Sequence, residues 1–227
     1  MNILERITLV PFAKDQYIDE EVNKSMIFLH HTASSENPYG VLNWWASTPE
    51  RIATAFIVGG TPGKNTKWKD GDILQCFGSG KWAYHLGLTS AHLRAGGPKA
   101  KGGTELNKIS IGIEICSWGQ LTKTPAGFKS YAGVIVPDKQ VCELDKPYKG
   151  FKYYHKYSDA QLETTFELVK FLGKKWNIPL SFKGMKMFDI TPECLQGEPG
   201  VWTHTSCRPD KFDLFPQPEL LTCLKAL

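Results

Sequence analysis

The sequence predicts an α/β fold, one domain whose central sheet has helices packed against it. Three observations lead there. Short apolar runs rich in branched residues alternate with Gly and Pro clusters, one long apolar stripe recurs at helical spacing, and 227 residues with 41% apolar content can bury a sizeable core without disulfide staples. The chain is too apolar to be disordered, and its 21 Gly and 14 Pro follow no collagen period. No internal repeat or low-complexity linker marks a boundary. Residues 1–227 therefore read as a single domain, with 1–25 as an N-terminal extension and 117–157 as a loop insert.

In chain order, strands are expected at residues 26–29, 55–58, 73–77, 109–116 and 134–136. Turns such as Gly59-Gly60-Thr61-Pro62-Gly63 separate them. A short helix is expected over 41–46. The clearest helix begins at Ser158, which stands three residues before Gln161 in a capping-box arrangement. Leu162, Phe166, Val169 and Trp176 then form the stripe that must pack on something. A last helix starts at Pro218, since Pro is tolerated at the first helical position.

Charge narrows the partners. The net charge is +4, from 27 basic and 23 acidic residues, and no Lys/Arg run is long enough to track a nucleic-acid backbone. Glu5, Asp15, Asp19, Glu20 and Glu21 break any secretory pattern near the start, and no apolar run reaches bilayer length. Cytoplasmic synthesis without membrane insertion is the expectation. Six scattered cysteines without a C-x-x-C pair write neither a zinc ribbon nor a redox motif. Most are expected free and buried, with a bridge among Cys194, Cys207 and Cys223 left open.

Three segments concentrate side chains that bind metal or move protons. His30 and His31 end an apolar strand, where successive side chains point to opposite faces, so only one can serve a given site unless the strand breaks. In 110–115, Ile111, Ile113 and Ile115 take one face and Ser110, Gly112 and Glu114 the other. A carboxylate there is costly unless solvated, paired or near a metal, and in a cleft it becomes a general base with a raised pKa. Gly112 leaves room beside it. The third segment runs from His204 to Asp213 and carries Lys211. Imidazole and carboxylate suit Zn²⁺, and a catalytic zinc needs three protein ligands.

Together these segments resemble the zinc-dependent N-acetylmuramoyl-L-alanine amidases of the type-2 family, over residues 26–216. The resemblance implies a central mixed β-sheet flanked by helices. It also implies Zn²⁺ held by His30, His204 and Asp213, with Glu114 as catalytic acid/base and Lys211 as the cation that steadies the transition state. Trp82, Tyr84 and His85 resemble the family's segment that lines the substrate groove. Two departures stand out: Cys207 lies inside the metal loop as a competing thiolate, and Thr54 stands where some members place a catalytic Tyr. Aromatic residues at 148, 151, 153 and 154 fit either a gripping strip or satellite core. The implied function is cleavage of the amide between N-acetylmuramic acid and L-alanine in bacterial peptidoglycan, as a monomeric phage endolysin. The alternatives are a wall-recycling amidase of the cytoplasm and a recognition module that binds muropeptide without cutting it.

Overall fold

The computed structural model describes residues 3–227. Its central sheet has six strands: β1 (Ile7–Leu9), β2 (Met26–His31), β3 (Phe56–Val58), β4 (Ile73–Gln75), β5 (Ser110–Ile115) and β11 (Gly200–Thr203), in the order β1-β4-β3-β5-β2-β11. Only β3 and β4 pair antiparallel, so the sheet is mixed. Every residue of β2 and β5 is buried, the condition of strands covered on both faces, and it explains their unbroken apolar character.

Helices α1 (Pro38–Ala46), α2 (Ser90–Leu93), α3 (Gly103–Ile109), α4 (Asp159–Trp176), α5 (Pro192–Leu195) and α6 (Pro218–Lys225) surround the sheet. Helix α4 starts as the sequence predicts. The Ser158 hydroxyl accepts from the Gln161 N–H and the Gln161 side chain accepts from the Ser158 N–H, both at 3.0 Å. Leu162, Phe166 and Val169 are buried, each contributing roughly 1.5–3 kcal/mol of transfer free energy. The Gln161 amide also donates to the Cys116 carbonyl, tying the helix start to the end of β5. Asn177 closes the helix in the left-handed region.

Two expectations need correction. The N-terminal extension is part of the fold, since β1 pairs with β4 as the edge of the central sheet. Its three residues carry little periodic signal. The insert at 117–157 is not a loop. It forms a second, five-stranded antiparallel sheet from β6 (Gln120–Thr124), β7 (Gly127–Ser130), β8 (Ile135–Val136), β9 (Val141–Tyr148) and β10 (Phe151–His155), in the order β8-β7-β6-β10-β9. Its aromatics are mostly mortar. Tyr154 is fully buried and stacks on Phe215 at 4.3 Å, Tyr148 donates to the Phe188 carbonyl, and Phe151 meets Phe212 edge-on. These contacts bear out the satellite-core reading of that stretch.

Candidate metal centre

The site lies where β2, β5 and β11 end, the carboxyl edge at which open α/β sheets bind ligands. Registration places His30 opposite Glu114 on adjacent strands. His204 follows β11 directly, in a 3-10 turn, and the loop returns so that the Thr205 N–H donates to the Asp213 carbonyl. One ligand atom each from His30, His204 and Asp213 lie within 4.8 Å of one another, and all three residues are buried. Sequence separations of 174 and 9 residues are closed by strand order alone.

The surrounding hydrogen bonds fix which ring nitrogens face inward. The single Ser110 hydroxyl proton goes to the Leu106 carbonyl at 2.6 Å, so Ser110 Oγ accepts from His85 Nε2 at 2.9 Å. Burial, then the neighbouring His30, holds the His85 pKa well below 6.5, so its ring is neutral and its Nδ1 is bare. That Nδ1 accepts from His30 Nε2 at 3.0 Å. His30 is itself pushed down to about 4, first by burial and then by His204, against the pull of Asp213. Its bare Nδ1 is left facing Asp213 Oδ2 at 3.4 Å. On the other side, His204 Nε2 donates to the Leu86 carbonyl at 3.0 Å and turns Nδ1 to the same Asp213 oxygen at 2.9 Å.

One nitrogen each of His30 and His204 and one Asp213 oxygen therefore converge on one point. Deprotonated imidazole nitrogens with an ionised carboxylate are the forms that ligate metal. Burial raises the Asp213 carboxyl, but His204, His30 and His31 outweigh it and hold it well below the ordinary carboxylate range. The donor set fits Zn²⁺ with one position open.

Glu114 is buried, and its carboxylate has no hydrogen-bond partner among the described residues. Burial, reinforced by Asp213 and opposed by Lys211, raises its pKa well above 4.5. Gly112 makes room for the protein itself: a Cβ there would stand 2.7 Å from Thr54 and 3.2 Å from His85. Thr54 lines the groove floor, its hydroxyl spent on the Phe56 carbonyl.

The adjacent histidine takes the other face, as strand alternation requires. His31 Nδ1 lies 2.7 Å from the Tyr157 hydroxyl and is no member of the trio. Burial lowers its pKa to about 4. Cys207 does not compete for the metal, since its thiol donates to the His204 carbonyl and it stands outside the trio. All six cysteines are free, and five are buried.

A groove of about 1270 Å³ runs over the trio. Glu114, Lys211, Tyr84 and His85 line it with the three ligands. Trp82 does not; only 4% exposed, it donates to Glu20 from beneath, and Tyr84 crosses it edge-on. Tyr84, at 39% exposed, is the more open of the two rings. His85 reaches the groove, but both its ring nitrogens are engaged by Ser110 and His30, so its hydrogen bonds serve the ligand. Sequence reasoning missed Ser110 and the Leu86 carbonyl. Ser110 shares the polar face of β5 with Glu114, a signal available beforehand; a backbone carbonyl leaves none.

Fold and site together define a mixed α/β domain that carries, at its strand ends, a buried His-His-Asp group able to hold a metal ion. The profile of the N-acetylmuramoyl-L-alanine amidase family, Amidase_2, matches residues 21–210, and the chain belongs to this family. It is accordingly an amidase that acts on peptidoglycan. The fold is similar to the structure of PlyL, with a TM-score of 0.51 at 13% identity over 96% of each chain. It is likewise similar to the catalytic domain of XlyA, with a TM-score of 0.50 at 14% identity over 96% of this chain and 97% of that one. No curated protein matches. Among the described residues, no helix is long and apolar enough to cross a membrane.

Proposed function

We propose that the chain is a zinc-dependent amidase that cuts the bond between N-acetylmuramic acid and L-alanine, in the setting of a phage endolysin. The observation that carries the zinc reading is the convergence of one ligand atom each from His30, His204 and Asp213 within 4.8 Å of one another. When bound by His30, His204 and Asp213, Zn²⁺ supplies Lewis acidity toward water and the scissile carbonyl.

The remaining chemistry belongs to the chain. Glu114, with its raised proton affinity, accepts a proton from the attacking water as the new C–O bond forms, then passes it to the alanine nitrogen as the C–N bond breaks. The products are a free muramoyl carboxyl group and a peptide with a new amino terminus. Lys211 brings a positive charge to the same groove and offsets the charge that develops on the carbonyl oxygen. The His85–Ser110 relay and the Leu86 carbonyl hold both imidazoles in the ligating tautomer. At about 1270 Å³ the groove exceeds the roughly 300–1,000 Å³ of a usual small-ligand site, which suits a substrate held in a polymer and favours the endolysin setting.

The test is digestion of purified peptidoglycan with and without chelator, followed by mass analysis. Stem peptides with L-alanine at a new amino terminus are expected, abolished by chelation and restored by zinc. Cuts confined to the glycan or to peptide cross-links overturn the reading. Lysis from within, when the chain is co-expressed with a membrane-opening partner, checks the endolysin setting.

A further inference from the structure

The second sheet reaches the groove through two aromatic residues. Trp118 stands between β5 and β6, and Tyr131 just after β7; their rings meet edge-on with centroids 6.5 Å apart. Both line the groove, and Tyr131, in the turn after β7, is 69% exposed. An aromatic ring held out over a groove, away from any core, calls for an explanation.

The Trp118 backbone is firmly placed. Its main-chain N–H donates to His155 Nδ1 at 3.0 Å, while the His155 main-chain N–H donates to the Gly119 carbonyl and the Ser117 hydroxyl to the His155 carbonyl. Gly119, at φ +72°, lies so close to His31 that a Cβ would come within 2.7 Å of the imidazole. The start of the insert is thereby clamped to its last strand.

The chemistry of this wall is one-sided. Beside the two rings the groove lining offers Ser34, Ser35 and Gln120, while the Glu36 carboxylate lines a separate small pocket that Trp118 also borders. The Ser34 hydroxyl is buried and has no partner in the protein. The groove's exposed ionic groups come instead from the loop after β11: Arg208, which donates to the Gly87 carbonyl and pairs with Asp210, and Lys211. A stem peptide, with its carboxylates and amine, suits the charged loop. An N-acetylated pyranose is uncharged, has apolar C–H faces that stack on aromatic rings, and carries hydroxyl and amide groups for short neutral partners.

The geometry points to Trp118 and Tyr131 as a subsite for a pyranose ring of the glycan strand, built by the inserted sheet and joined to the hydrolytic centre. This rests on the amidase reading for the orientation of substrate, though not for the sugar contact itself.

The probe is a series of peptide-free β-1,4-linked N-acetylglucosamine oligomers, titrated by tryptophan fluorescence and by NMR. The wild-type protein should bind them saturably, with Trp118 and Tyr131 resonances shifting. Tyr131→Ala, at an exposed position that leaves the fold intact, should weaken binding about tenfold, the size of a single aromatic anchor; Trp118→Phe should weaken it less than Trp118→Ala. With muropeptide substrates, Tyr131→Ala should raise KM as the glycan lengthens and leave kcat unchanged. The subsite is overturned if the wild type does not bind the oligomers, if both alanine variants bind them like the wild type, or if the KM effect follows stem-peptide length instead. Saturable, Tyr131-dependent sugar binding without amide cleavage upholds the subsite and removes the amidase reading; cleavage without sugar binding does the reverse.

Discussion

The two sheets solve opposite problems. The central strands β2 and β5 are buried throughout, and their polar side chains are few: His30, Ser110 and Glu114 on the groove side and His31 on the other. The second sheet is antiparallel and half solvated: in β9, Cys142 and Leu144 are buried while Glu143 and Asp145 are exposed. Complete burial makes polar groups dear to place but lets them shift one another's proton affinities. Half-burial gives no such leverage, yet it leaves side chains free to meet a ligand. The difference teaches that the reactive groups and the groups that hold substrate come from regions under different packing constraints.

The largest effect should come from the fully buried face. Glu114→Gln keeps the side chain's shape and is expected to lower kcat by about 10²–10⁴-fold while zinc content by elemental analysis stays at one per chain. Unchanged kcat would remove Glu114 from its role. Next in size, Ile113→Ala in β5 should cost about 2–5 kcal/mol in denaturant unfolding, because β5 cannot collapse onto the cavity. Native-state hydrogen exchange sharpens the contrast: amides of β6–β8 should open at lower free energy than those of β2 and β5. Equal protection would mean the two sheets form one cooperative unit.

Ser110→Ala and His85→Phe break the relay without touching a ligand. Both are expected to weaken zinc affinity about 10–100-fold in competition with a chromophoric chelator, with kcat near normal at saturating zinc. For the metal-free protein, the raised proton affinity of Glu114 sets a pH dependence. Over the interval in which the unfolded chain has released this proton and the folded chain still holds it, stability falls as pH rises, and the loss is complete once pH passes the folded-state value. Glu114→Gln should therefore melt above the wild type at about pH 8 in chelator, and the gap should close towards about pH 4. The smallest change is Ser158→Ala, which removes the cap of α4 and should cost about 1 kcal/mol, with activity intact.

The four residues proposed for the chemistry, His30, Glu114, His204 and Asp213, stand out in the sequence because each sits where its residue type is costly unless it has chemistry to perform. Imidazoles end an apolar strand, a carboxylate stands among isoleucines, and a His and an Asp bracket a tight loop. The choice between His30 and His31 followed from strand alternation together with the family's pattern, and the two rings do take opposite faces. Trp82 was misplaced because an aromatic next to a groove residue looks the same in sequence whether its ring turns in or out. The second sheet was hidden by its own solvation. Strands such as Gln120–Thr124 bury one residue in five, too little to stand out as periodicity, and pairing with distant partners rather than local pattern makes them strands. Tyr131 carried no signal at all, since only the folded hairpin brings it to Trp118.

The clamp around His155 has a further consequence. Ser117 accepts from the Ser34 N–H with its carbonyl and donates to the His155 carbonyl with its hydroxyl, so the chain leaves the central layer and returns to it at nearly the same point. Closing such a short gap demands little loop entropy, whatever hangs between its ends. Residues 118–154 thus form one closed excursion whose two ends lie side by side at the end of β5, so the wall it builds stands at a fixed distance from the register of β2 on β5.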